Sequence, residues 1–257
     1  MKRSMAMIKI AVYSLKGGVG KTITAANLGH LYATHRTKKL KGTKRNSLRR
    51  VLLVDRDPQG NLSQYFSRYD ADGPVQLKPV GTEWPWLDII PGNLSLSGME
   101  DVALDIDCFA DDYDLCLIDC PPALGKLTAS ALRCADYLII PIRLDAFSTH
   151  GLENLMQQLS YLQEAGFDAK VLGVLVTHDE PAWYRDDVKA LLGERLPLFT
   201  TAISRSAWVA ESTIEHKPLA ELTGPDHHLK PMCIKPAWQY RRVMNEIVDR
   251  LSKLDRR

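Results

Sequence analysis

The chain has 257 residues, 45% of them apolar and 25% charged, with a formal net charge of +2. That balance is ordinary for a soluble globular protein, and the length suits one large α/β domain or two small ones. Five cysteines with no C-x-x-C pair argue against a disulfide framework or a zinc site, and no apolar stretch reaches the length of a membrane span.

Taken in chain order, the first apolar run is "IKIAVYS" (8–14), preceded by a basic N-terminus whose apolar part is too short for a signal peptide. The cytoplasm is therefore the expected compartment. The run leads into "SLKGGVGKT" (14–22), whose end matches a phosphate-binding loop while its start does not. The pattern G-x-x-x-x-G-K-[ST] needs a glycine where this chain has Leu15, and a second lysine, Lys16, stands beside the glycines. The loop lies between a predicted strand and a helix predicted over Thr22–Thr34, the context in which such a motif binds phosphate. Backbone N–H groups of Gly17, Gly18, Val19 and Gly20 would surround phosphate oxygens at the positive end of the helix. Lys21 would sit on the β- and γ-phosphates, and the Thr22 hydroxyl on Mg²⁺.

From Arg36 to Arg50 every charge is positive, and the stretch has almost no apolar content. It reads as a solvated basic insertion, or else as an arm that contacts a polyanion. "VLLVDRDPQGN" then ends a second strand in Asp55 and Asp57. Residues 69–86 are rich in Pro, Gly and Asp, and read as an irregular surface excursion. "LDIIP" (87–91) is a third strand, and from Glu100 to Asp119 every charge is negative. "LCLIDCPP" closes its strand with Asp119, the form of a Walker B strand whose carboxylate serves the Mg²⁺ shell. Cys116 and Cys120 flank that apolar run as buried thiols. "YLIIPI" (137–142) and "VLGVLVT" (171–177) are further strands, with helical spacing over Gly125–Cys134 and Gly151–Ala165. Strands that are continuously apolar and alternate with helices predict a mostly parallel twisted sheet covered by helices on both faces. Ligands of such sheets bind beyond the strands' carboxyl ends, where the glycine loop and the three aspartates would meet. No linker or repeat appears, so residues 1–257 are expected to form a single domain with a basic insertion at about 36–50.

With these motifs in place, the chain resembles the ParA/Soj branch of the ParA–MinD family of P-loop ATPases. "KGGVGKT", "VLLVDRDPQGN" and "LIDCPPALG" are similar to that family's deviant Walker A, switch I and switch II motifs. "IIPGNLSLSGME", "ADYLIIPIRLDAFSTHGLENL", "VLGVLVTHDE", "TAISRSAWVAESTIEHKPL" and "AWQYRRVMNEIV" extend the likeness over nearly the whole chain. The resemblance implies ATP and Mg²⁺ as cofactors and an ATP-dependent sandwich homodimer, in which Lys16 reaches the partner subunit's phosphates. It implies that Asp57 orients the attacking water, that Lys16 and Lys21 serve catalysis, and that Thr22, Asp55 and Asp119 lie at the metal. It also implies non-specific binding of double-stranded DNA through Arg205, Lys235, Arg241 and Arg242, with Arg195 a weaker candidate. Hydrolysis would be slow alone and stimulated by a ParB-like centromere-binding partner, and the protein would associate with the nucleoid. Ser204 and Ser206 depart from the family's "IPRN", so the adenine contacts expected of Ser206 and Thr177 rest on less.

The alternative is a MinD-like, membrane-associated positioning ATPase. It needs the stripe Val243, Met244, Ile247, Val248, Leu251 and Leu254 to face lipid. The acidic residues on the polar face favour core packing instead, and no membrane partner is expected.

Overall fold

The computed structural model describes residues 7–34, 36–40, 49–99, 103–144, 149–223 and 228–254. Among them, seven strands form one sheet: β1 (Ile8–Val12), β2 (Val51–Asp55), β3 (Val80–Gly81), β4 (Leu87–Ile90), β5 (Leu115–Asp119), β6 (Tyr137–Arg143) and β7 (Lys170–Thr177). Their order is β3-β4-β2-β5-β1-β6-β7, and every pairing is parallel except that of β3 with β4. The irregular excursion expected over 69–86 thus contains a short antiparallel edge strand. Two residues are too few to show a period in sequence, and the strand exists only because Val80 pairs with Ile89.

The helices are α1 (Lys21–Ala33), α2 (Asn61–Tyr65), α3 (Lys126–Cys134), α4 (Thr149–Glu164), α5 (Arg185–Arg195), α6 (Ala207–Ile214) and α7 (Pro231–Leu254). Each central strand divides its apolar residues between two layers. Ile10, Val51, Leu53, Leu115 and Leu117 join a cluster with α1 and α7. Ala11, Leu52, Val54, Cys116 and Ile118 join one with α3, α4 and α5. Strands that are buried at every position therefore read as unbroken apolar runs, although side chains alternate faces.

Helix α1 is enclosed between the sheet and α7, and every residue but Thr22 is buried. Gly29 allows this approach, since a Cβ there would stand 2.8 Å from Leu53 Cδ2. Helix α7 closes the fold. Val243, Met244, Ile247, Val248 and Leu251 are all buried, so the apolar stripe of the tail lies in the core except at its last residue, Leu254, which is 41% exposed. Among the described residues no helix is long and apolar enough to cross a membrane. Farther along α7, Arg250 donates to the carbonyls of Leu172, Pro197 and Leu198, and Glu246 accepts from the N–H groups of Thr200 and Thr201. These bonds tie the segment after α5 to β7 and α7, with the Pro197 carbonyl also accepting from the N–H of Val174.

The ends of the basic insertion are anchored rather than solvated. Arg36 pairs with Glu221 at 2.7 Å, Lys38 with Asp249 at 2.6 Å, Leu40 is buried, and Arg49 stacks over Tyr32. The partners of Arg36 and Lys38 lie far away in sequence, so a local composition reading cannot find them. Residues 41–48 of the insertion lie outside the described residues.

His30 is a buried titratable group on α1. Its ring meets Trp84 edge-on, and Nε2 lies 3.1 Å from Glu221 Oε1 without good hydrogen-bond geometry. Burial lowers the imidazole pKa against the opposing pull of Glu221. Glu221 itself is held low, chiefly by His30. The carboxylate is half-buried and also serves Arg36, so burial decides and the imidazole is neutral. A His with a lowered folded pKa loses stability as pH falls below the unfolded value of 6.5. Thermal midpoints are expected to drop from neutral pH toward acid in that window, and less steeply for His30→Phe. Parallel pH profiles for the two proteins would remove His30 from this account.

Candidate nucleotide and cation site

The sheet order places β1 between β5 and β6, so the loop leaving β1 opens at the centre of the carboxyl edge. Gly18 and Gly20 have φ of 70° and 83°, left-handed values that favour glycine. Gly20 precedes α1 without a side-chain cap, and the first N–H groups of the helix therefore face the loop. From below, the Thr177 hydroxyl reaches the carbonyls of Val19 and Ile142, at 2.8 and 3.0 Å. Thr177 is buried and braces the loop, which uses the donor that an adenine contact would need.

The two lysines part company. Lys21 is buried, and its ammonium donates to the carbonyls of Ser14 and Lys16, both at 3.1 Å. Burial lowers its pKa, against the attraction of Asp119 and Asp57. Lys16 is exposed at the loop surface and does not line the cavity described below.

Asp55 and Asp119 end adjacent strands in register. Asp55 is saturated: it accepts from Ser63 N at 2.8 Å, Ser63 Oγ at 2.7 Å and Asp57 N at 3.2 Å. Asp119 is 1% exposed, and neither carboxylate oxygen has a hydrogen-bond partner. Burial first, and repulsion from Asp55 second, push its pKa well above the carboxylate range. The Thr22 hydroxyl favours the charged form but makes no well-formed bond to it. A buried carboxylate left this way is costly unless a cation meets it. Thr22 and Asp119 thus suit a hard cation, with Asp55 set behind as the residue that orders Ser63. Among the described residues no cluster of three or more His, Cys, Asp or Glu could hold a metal by itself. Mg²⁺ would accordingly take its other ligands from phosphate oxygens and water.

A cavity of about 800 Å³ joins Gly17, Gly18, Gly20, Lys21, Thr22 and Asp57, then runs to Ser206 at the start of α6. Asp57 accepts from the N–H of Gln59 at 3.0 Å, which fixes the carboxylate in the turn after β2. Sequence reasoning missed Arg143 and His178, which line the same space. Arg143 ends β6, and the strand-end rule that found Asp119 would have found it too. A second cavity of about 780 Å³ lies between α3, the end of α4 and the segment around Asp107, and it contains no part of the glycine loop.

The expected DNA contacts fall into two groups. Lys235, Arg241 and Arg242 are exposed on α7. Arg205 lines the nucleotide cavity and pairs with Glu180 at 3.3 Å, while its neighbour Ser204 is bound to Gln239 of α7. Arg195 is exposed at the end of α5.

Residues 7–171 match the family model described as AAA domain. The chain is 31% identical over 241 residues to the chromosome partitioning protein ParA of Caulobacter vibrioides, covering 82% of this chain and 85% of the relative. It is similar in structure to cobyrinic acid a,c-diamide synthase of Mycobacterium smegmatis with bound ATP analog and magnesium. The TM-score there is 0.69 and the identity 26%, over 93% of each chain. The septum site-determining protein MinD of Pyrococcus horikoshii, complexed with Mg-ADP, shares the fold with a TM-score of 0.70 and 22% identity, over 97% of each chain.

Asp119→Asn tests the orphaned carboxylate. A carboxyl whose folded pKa is raised stabilises the fold while protonated, and that contribution is lost as pH rises through the folded value. The variant should exceed wild type in ligand-free stability at alkaline pH, on the order of 1 kcal/mol or more for an unpaired buried group. The gap should narrow on acidification, and the stabilisation by Mg²⁺ with ATP should be lost. Thermal unfolding measures both, and an undiminished Mg²⁺-dependent gain would assign the cation elsewhere.

Proposed function

The chain belongs to the ParA–MinD family of P-loop partition ATPases, and from that premise we propose that it hydrolyses ATP slowly as a DNA-bound sandwich dimer. The observation that carries this reading is the division of labour between the loop lysines. Lys21 is buried and committed to its own loop, whereas Lys16 is exposed and takes no part in lining its own cavity. A cation so placed serves phosphates held by a partner. The reading treats residues 1–257 as one ATPase domain, located on the nucleoid in the cytoplasm.

ATP binds with its phosphates on the N–H groups of Gly17 to Thr22 and its nucleoside toward Ser206. When bound, Mg²⁺ offsets phosphate charge; Thr22 and Asp119 hold it, with Asp55 behind them. Lys21 leaves the carbonyls of Ser14 and Lys16 for phosphate oxygens, exchanging neutral for charge-assisted hydrogen bonds. Lys16 crosses to the partner subunit's nucleotide, so triphosphate favours the closed dimer over the separate subunits. Asp57 orients the water that attacks the γ-phosphate, and phosphoryl transfer then depends on positioning and charge neutralisation. Arg205, Lys235, Arg241 and Arg242 contact DNA phosphates without reading bases, which gives a steep dependence on salt. A ParB-like partner stimulates hydrolysis, and the subunits separate and release the DNA. Against the MinD-like alternative, five of the six stripe residues of α7, Val243 to Leu251, are occupied by the core.

Lys16→Ala is expected to bind ATP but to sediment as a monomer with ATP, as wild type does with ADP; a persistent ATP-dependent dimer would remove the trans role. Asp57→Ala should lower phosphate release by roughly 10²-fold or more. It should also remain on duplex DNA with ATP in co-sedimentation, so normal turnover in this variant would exclude Asp57 from the mechanism.

A further inference from the structure

The N-terminal half of α7 presents large apolar side chains to solvent. Ile234 and Trp238 are 52% and 51% exposed on one side of the helix, while Cys233, Pro236, Ala237 and Tyr240 on the other side are buried; Met232, 65% exposed, stands at the helix start above Pro236 rather than on the Trp238 face. Lys235, Arg241 and Arg242 share the exposed face, and the Arg242 guanidinium lies over the Trp238 ring, 4.8 Å from its centroid. No acidic residue occurs from Pro231 to Asn245. Farther along the same helix residues 36–40 lie alongside this face, because Lys38 donates its N–H to Asn245 and its ammonium to Asp249, the Lys38 and Asp249 side chains both staying about half exposed. The strap formed by residues 36–40 stops there.

Charge and shape together limit what fits this face. A second copy would oppose three cations with three more. Duplex DNA satisfies the cations through phosphates but leaves Ile234 and Trp238 without a role. A lipid surface takes an apolar centre with cations around it. Here Arg242 lies on the Trp238 ring, so the charge is central. What remains is a protein surface with carboxylates and apolar side chains side by side. Trp and Arg are enriched at such contacts, and Arg holds carboxylates through paired hydrogen bonds. Ile234, Lys235, Trp238, Arg241 and Arg242 follow one another at helical spacing and form a ridge against which a second helix can pack.

We propose that this half of α7 is a docking face for an acidic amphipathic helix of a partner protein, with Trp238 as the apolar anchor and Lys235, Arg241 and Arg242 as carboxylate contacts. Docking does not depend on the DNA reading. Where DNA uses the same three cations, partner and DNA exclude each other at this face.

The test uses the full chain and a fluorescent helical peptide with a Leu/Phe stripe and Glu elsewhere, followed by anisotropy. A scrambled peptide of the same composition, duplex DNA and phosphatidylglycerol–phosphatidylcholine vesicles serve as the other arms. The striped peptide should bind more tightly than the scrambled one, and Trp238→Ala should weaken it roughly tenfold or more. An Ile234→Ser variant should act in the same direction, with thermal melts showing that each variant folds. DNA affinity should not respond to Trp238→Ala. The proposal is overturned if the striped peptide fails to bind or binds no better than the scrambled one. It is also overturned if Trp238→Ala weakens DNA or vesicle binding and spares the peptide. Failure of wild type to bind DNA, with peptide binding intact, would count against the partition reading alone.

Discussion

Two carboxyl groups end neighbouring parallel strands in the interior of this protein, and only one of them is satisfied. Asp55 is held by Ser63 and by the backbone of Asp57, whereas Asp119 faces it with both oxygens unpaired. Such an arrangement lowers the stability of the fold, because buried like charges repel and neither has water to screen it. The cation closest to hand, Lys21, is itself disfavoured by burial and is turned toward loop carbonyls. A buried site with surplus acid beside a ring of backbone donors suits a hard cation and an anion together. The surroundings are shaped to keep it so. Gly92 packs against the Asp55 carbonyl, where a Cβ would stand at 2.5 Å, and the N–H of Gly92 donates to Ser63 Oγ.

The same region is tied to the helices that carry the outer surface. Asp55 orders Ser63 on α2, and on the same helix Tyr65 donates to the carbonyl of Lys217 at 2.7 Å and approaches Ser212 of α6. The Thr24 and Tyr240 hydroxyls meet between α1 and α7 at 3.3 Å. Buried polar contacts of this kind have few alternative geometries, and they join α2 to α6 and α1 to α7. Ser206 caps α6, and α7 carries the exposed cations Lys235, Arg241 and Arg242. Helix α7 therefore has three duties: core packing through Met244 and Ile247, backbone closure through Glu246 and Arg250, and an open face at Trp238.

Much of the site could be read locally. The glycine loop, Asp57 and Asp119 all follow apolar runs, and strand-end position is a property of sequence order once the strands are recognised. Thr177 was found by the same reasoning, yet its hydroxyl is taken by Val19 and Ile142, contacts that no spacing rule reveals. Arg143 satisfies the strand-end rule as well as the aspartates do, and was passed over because a lone arginine carries no motif. The anchored ends of the basic insertion were misjudged for a different reason. Arg36 and Lys38 are held by Glu221 and Asp249, some two hundred positions away.

By itself the sequence determined the class of the fold, the glycine loop and the acids that face it, because continuous apolar strands and a glycine turn leave little conformational choice. Tertiary structure alone decided which charges are spent inside the fold and which remain for use. Lys21, Asp55 and the ends of the basic insertion are consumed by contacts within the chain. Asp119, Lys16 and the Trp238 face are left open, since burial and partnership depend on what distant segments bring alongside, and composition carries no record of that.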